Sequence, residues 1–435
     1  MNCLNRNWIG IAFSLATGMS LALHVTSASA GPDIPGAPQS KPIALVGGTI
    51  HPVSQAEIAG GTLLLVDGKI AAIGKDVEIP NNAERIDVSG KHIYPSLFDA
   101  YTPLGLVEVN AVRSTVDRSE TGQINPNVKS WVAVNPDSEL IPVARSNGVL
   151  LAVSAPSGGI ISGQSAVLQL DGWTFEDMTL APGVAMHLNW PRVSSDNGRP
   201  NASSMKQLRT LFDDARAYRQ ARGAENSRHP VDVRLQAMLP VLARKQPLIV
   251  RADELSAIQG AVAFAQEQDV RVIIYGGYDA PQCAELLRKN QVPVLLGGVY
   301  RLPRRRSEPY DTPFTIANRL HQAGVQFCIT GSGRFGGSDV RNLPYHAAMA
   351  AAFGLPKDVA LKSITSYPAE ILGVDERVGT LAVGKDATLF IADGDPLETA
   401  TQIEAAYIQG RRVDLNNRHT RLWKKYQTKY QRLAK

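Results

Sequence analysis

Residues 248–330 alternate short apolar runs with amphipathic stretches, and this alternation restricts the possible folds more than any other feature of the chain. LIVR at 248–251 precedes a helical pattern over 254–268, and RVIIY at 271–275 precedes another over 280–290. PVLLG at 293–297 then leads into a helix over 313–323, and VQFCIT at 325–330 closes the run. A strand, a crossover helix and a second strand make a parallel pair, because the helix must carry the chain back to the same edge. Further strand patterns at 93–98, 149–153, 166–170 and 183–188 bring the total to about eight, the number that closes into a (β/α)8 TIM barrel. Chemistry in such a barrel sits at the C-terminal ends of its strands.

Both ends of the chain read differently. IALV at 43–46, TLLLV at 62–66, KIAAIG at 69–74 and RIDV at 85–88 are short strands, and Asp67-Gly68 supplies a two-residue hairpin turn. The same texture returns in TLFIA at 388–392, AAYIQG at 405–410 and RRVDL. Neither set is large enough to fold alone. The expected organisation is therefore a composite β-sandwich domain from 41–92 plus 376–415, wrapped around a barrel over 93–375.

Residues 1–30 are set apart as a signal peptide: Arg6, an apolar run broken by Ser, Thr and Gly, then Ala28-Ser29-Ala30. This predicts an exported, periplasmic or secreted protein with no integral membrane segment after cleavage. Cys283 and Cys328 remain, and two semi-buried thiols are expected rather than a disulfide scaffold. A formal charge of +5 is too diffuse to predict nucleic-acid binding. Residues 416–435 have helical period, with Leu422, Tyr426, Tyr430 and Leu433 on one face and a basic opposite face. That stripe is expected to dock on its own domain; a membrane surface is the other option.

Zinc or paired-metal hydrolysis needs imidazoles and carboxylates converging on one point. His51, His92, His187, His229, His321, His346 and His419 are spread so that no two lie within five residues, and only His187 falls near a barrel strand end. GQSAV at 163–167 ends in Val167, which defeats a nucleophile elbow. GSGRFG at 331–336 follows a strand but lacks the later strand with a terminal acid that a dinucleotide site requires. The glycine loop and the arginines near strand ends, Arg251, Arg334, Arg341 and YRLPRRR at 300–306, suit a carboxylate or phosphate.

VDGKIAAIG, GKHIYPSLFDAYTPLGL and VGTLAVGKDATLFIADGDPL together resemble the amidohydrolase superfamily, most closely exported relatives of imidazolonepropionase and dihydroorotase-type enzymes. The resemblance spans about residues 43–415 and implies a metal-bearing (β/α)8 barrel with a composite sandwich. It also implies metal ligands at positions that here hold other residues. The first-strand histidines are replaced by Tyr101 and Pro103, and the fifth-strand histidine by Arg251. Gly276 stands for the sixth-strand histidine and Gly331 for the aspartate after the eighth. No lysine between Lys129 and Lys206 is available for a bridging carbamate.

The sequence therefore predicts an amidohydrolase-like protein whose metal site is lost, with no cofactor. It would act as a binding or partner subunit, associating with itself or an active relative. Asp99, Tyr101, Arg251, Tyr275, Ser332 and Arg334 are the candidate ligand-binding residues at the mouth. The alternative is a hydrolase of C–N bonds that holds a divalent metal, Zn or Mg, through carboxylates such as Asp99, Asp253, Asp279 and Asp339. Helix capping competes for Asp253 and Asp279. A receptor for a small anion is a third reading.

Overall fold

A computed structural model describes residues 34–193, 199–224, 229–331 and 336–434. The signal-peptide expectation, together with Ser332 and Arg334, falls outside the described residues. The described residues form one compact unit.

Two eight-stranded sheets organise it. The first holds β1 (Ile43–Ile50), β2 (Ile58–Val66), β3 (Lys69–Gly74), β4 (Glu84–Asp87) and β5 (His92–Pro95). The second begins with β6 (Leu97–Thr102), β7 (Val149–Ser154), β8 (Ile161–Gln169) and β9 (Thr179–Asn189). It continues through β10 (Leu248–Ala252), β11 (Val272–Gly276), β12 (Val294–Leu296) and β13 (Phe327–Ile329). The C-terminal strands β14 (Leu389–Ala392), β15 (Ile403–Ile408) and β16 (Arg411–Val413) return to the first sheet, in the order β16-β15-β14-β5-β1-β2-β3 with β4 on β1.

The seam between the chain's two ends is the β5–β14 ladder, with Pro95 opposite Leu389 and His92 opposite Ala392. Asp67 and Gly68 both take positive φ, 48° and 77°, as their hairpin requires. Asp386 staples this sheet from within. Its side chain is 1% exposed and takes the Lys69 ammonium, Arg377 Nη2 at 2.8 Å and Gln409 Nε2 at 3.2 Å. Arg377 also donates to the Leu180 carbonyl at 2.8 Å, tying the sheet to the barrel.

The second sheet runs in chain order from β6 to β13 and nearly closes. Residues 363–364 bridge its open seam: Phe98 donates to the Ile364 carbonyl at 2.8 Å and Ile329 to the Ser363 carbonyl at 3.0 Å. Inside pack Phe98, Leu151, Val153, Val167, Ile249, Ile273, Leu295 and Cys328, each at most 2% exposed. Cys283 and Cys328 are free, buried thiols.

Two expectations need correction. The strand predicted at 93–98 is two strands, with β5 in the first sheet and β6 in the second. The barrel is also not uniformly parallel, since β8 pairs antiparallel with both β7 and β9. Six residues, Ala155–Ile160, separate β7 from β8. A crossover helix needs a dozen or more, so the chain can only turn back. Gly163, at φ 126°, lets β8 approach the 128–129 backbone, where an added Cβ would stand 2.6 Å from the Val128 carbonyl oxygen.

The tail forms the helix Arg418–Leu433, capped by Asn417 accepting from the Thr420 backbone. It does not dock its apolar stripe as expected. Trp423, Tyr430 and Leu433 are 62%, 64% and 71% exposed. Among the described residues, no helix is long and apolar enough to cross a membrane.

Candidate functional site

Residues two apart on a strand share a face, so Ile249 and Ile273 in the barrel core place Arg251 and Tyr275 above them at the strand ends. Arg251 lies opposite Tyr275 in the β10–β11 ladder and opposite Asn189 in β9. Tyr101, at the end of β6, stacks on Tyr275 with ring centroids 3.4 Å apart and planes within 10°. His187 of β9 lies 5.5 Å from the Tyr101 ring, and its Nε2 is 2.7 Å from Ser165 Oγ of β8. The structure thus assembles Asp99, Tyr101, Arg251 and Tyr275 at one mouth.

Asp99 is fully buried, accepting from the Tyr101 amide at 3.2 Å and the Gly331 amide at 3.2 Å. Burial pushes its carboxyl up to about 7, although both amide contacts favour the ionised form. Burial also raises the Tyr101 phenol, which Tyr275 reinforces and the positive charges of Arg251 and Arg118 oppose. Arg118 had no signal in the sequence, because it lies in the irregular stretch after β6. No hydrogen bond or ion pair reaches the guanidinium of Arg251 or Arg118 among the described residues. Arg301 adds a buried Nε and Nη2 without partners, while its Nη1 sits 3.5 Å from Asp253.

Two more arginines of the 300–306 run are neutralised. Arg304 contacts Glu254 at 3.0 Å, and Arg305 meets Asp279 at 2.5 Å and Glu308 at 2.6 Å. Arg341 lies apart from the mouth, 3.4 Å from His419. The carboxylates are committed too. Asp253 accepts from the Tyr278 amide. Asp279 caps not its own helix but the start of Leu255–Glu267, through the Leu255 amide at 3.1 Å. Asp339 lies in the 3-10 segment Gly336–Asn342.

A transition metal does not fit this donor set. A guanidinium has no lone pair to give, and the side chains of Pro103, Gly276 and Gly331 offer no donor. His187 and Asp99 are already engaged. Among the described residues no three His, Cys, Asp or Glu side chains converge on a point. The two glycines are also sterically committed. A Cβ at Gly276 (φ 100°) would stand 2.9 Å from Asp253 Oδ1, and one at Gly331 2.9 Å from Asp99 Oδ2.

The buried imidazoles set an acid limb of stability. Burial lowers His187 to about 3 and His346 to about 4. Unfolded histidine takes its proton near 6.5, so between pH 4 and 6.5 the unfolded chain binds more protons at both positions. Stability is then lost as pH falls through that window, by about 1.4 kcal/mol per unit for each histidine. Asp99 acts oppositely, because its folded carboxyl keeps a proton up to about 7. Its contribution falls as pH rises from about 4 to 7. His187→Gln is expected to shrink the stability difference between pH 5 and pH 7, measured by urea unfolding at both values. An unchanged difference would mean that His187 is protonated in the fold.

The architecture is a nearly closed eight-stranded barrel sheet with a second sheet built from both chain ends. The profile of the Amidohydrolase family matches residues 283–418. The chain is 24% identical to the imidazolonepropionase of Mesorhizobium japonicum over 389 residues, 84% of this chain and 91% of that one. It is 30% identical to the Rhizorhabdus wittichii imidazolonepropionase over 179 residues, 41% of each chain. The crystal structure of an amidohydrolase from Thermotoga maritima superposes with a TM-score of 0.78 at 23% identity, covering 86% of this chain and 99% of that one. These comparisons relate the chain to the amidohydrolase superfamily: both of these relatives are imidazolonepropionases, and the structural neighbour is an amidohydrolase.

Proposed function

We propose that this protein keeps the amidohydrolase frame but uses its barrel mouth to bind a small anionic molecule, without metal-dependent hydrolysis. The observation carrying this reading is the pair of guanidiniums, Arg251 and Arg118, which have no hydrogen-bond or ion-pair partner among the described residues and lie near the stacked Tyr101–Tyr275 rings. Guanidinium forks match carboxylate and phosphate oxygens in pairs, and the tyrosine faces give a planar ligand an apolar seat. Arg301 supplies further donors on the same rim. Hydrolysis by a carboxylate-held metal lacks comparable support, because Asp253 and Asp279 are held by arginines and backbone amides. The leader expected in residues 1–30 supports binding outside the cytoplasm.

Thermal unfolding of the chain from Pro32 onward, in phosphate, acetate and short dicarboxylates, tests the reading. A ligand at one hundred times its Kd stabilises by about 2.7 kcal/mol, which raises Tm by several degrees. Arg251→Ala and Arg118→Ala are each expected to abolish that response while leaving the anion-free Tm nearly unchanged. Metal analysis of the same sample separates the alternatives. One tightly held equivalent of zinc, manganese or iron, or no Tm response to any anion, would overturn the reading.

A further inference from the structure

The helix Arg418–Leu433 lies wholly on the surface, with no buried residue. At about 100° per residue, Leu422, Trp423, Tyr426, Tyr430 and Leu433 share one arc about 100° wide. Their exposures run from 41% at Leu422 to 71% at Leu433. A stripe of this size normally faces a core. Here it faces solvent, and three of its five members are Trp or Tyr, the residues that favour a membrane–water boundary.

Charge decides what covers it. No acidic residue follows Asp414, whereas Arg418, Arg421, Lys424, Lys425, Lys429 and Arg432 all lie on this helix. Among the described residues only Arg421 of the six has a carboxylate partner, Glu139 at 2.9 Å. Arg421 stands about 140° around the helix from Tyr426, on the opposite side from the stripe. The Arg421–Glu139 ion pair therefore ties the helix to the body while leaving the aromatic face open, and the Asn417 cap fixes where the helix starts. Lys425 and Lys429 flank that face, each with its ammonium about 6 Å from a neighbouring tyrosine ring. Long basic side chains beside an aromatic stripe let cations reach phosphates while the rings enter the headgroup layer.

We infer that this helix is a docking surface for an anionic phospholipid bilayer and lays the protein on the membrane through its C-terminus. The stripe is short and polar-edged, so it lies in the interface and does not span.

The test is flotation of the chain from Pro32 onward with unilamellar vesicles, either pure phosphatidylcholine or phosphatidylcholine containing phosphatidylglycerol. The expected result is co-flotation with the anionic vesicles only, weakened by 0.5 M salt as exposed charges are screened. The double variant Lys425→Glu/Lys429→Glu is expected to lose at least tenfold in binding, since each basic residue near such a surface is worth about fivefold. Both side chains are exposed, so its circular dichroism and Tm should match the parent and exclude misfolding. Trp423→Ala, which keeps every charge, should also bind more weakly. Equal flotation with both vesicle types, or undiminished binding by the double variant, overturns the inference. So does retention by an acidic protein surface with no vesicle binding.

Discussion

Gly331→Asp is expected to destabilise the protein by about 3–4 kcal/mol and to bring no metal with it. The superfamily resemblance implies an aspartate at this position, so by resemblance alone the substitution would be a repair. The structure makes it the reverse. The new Cβ would stand 2.9 Å from Asp99 Oδ2, on a carboxyl that already takes the Gly331 amide. A second buried carboxylate crowded against Asp99 cannot readily ionise beside the first without a counterion. Denaturant unfolding gives the magnitude, and a double-mutant cycle with Asp99→Asn gives the coupling. The double variant should recover at least 1 kcal/mol of the loss, because the like-charge contact is gone. A Gly331→Asp protein as stable as the parent that takes up zinc would refute this account of the mouth.

Asp386→Ala is expected to cost about 3 kcal/mol. The side chain is buried, and three donors converge on it from β3, the 377 turn and the β15–β16 turn. Removal leaves the Lys69 and Arg377 cations facing each other across a closed seam. Both are partly exposed, at 48% and 41%, so water recovers some of the loss and the value lies at the low end for a broken buried pair. Asp386→Asn keeps the shape and should lose less. The unfolding midpoint decides between them, and a shift below 1 kcal/mol for the alanine variant would remove the staple from the argument. GKDATLF, part of one of the three stretches that carry the superfamily resemblance, therefore contributes structure here, with its acid held by Lys69, Arg377 and Gln409.

Much of this architecture was legible because its signals are local. The Asp67-Gly68 turn names its own hairpin, and the strands at 248–252 and 272–276 keep their apolar pattern up to Arg251 and Tyr275. The strand end thus predicted where those two side chains stand. What escaped depends on contacts distant in sequence. β8 seemed to begin near 166, since the serines and glycine of IISGQS conceal a strand whose Gly163 is required by the neighbouring 128–129 backbone. With the true start at Ile161, the short link from β7 rules out a crossover. Arg118 escaped for a similar reason, because an irregular segment carries no period from which to infer that it returns to the mouth. The tail's amphipathic pattern was plain, but period alone cannot say whether a partner for its stripe lies on the same chain.

The β5–β14 ladder also sets a timetable. Pro95 and its partner Leu389 are separated by nearly the whole barrel. At typical ribosomal rates of about 5–20 residues per second, the opening strands would wait roughly 15–60 s for their mates to be translated. Over that interval β1–β3 hold an unpartnered apolar face. Nascent chains of this protein should therefore engage holding chaperones through their first hundred residues, and any premature stop before β14 should leave a product that aggregates instead of a functional barrel.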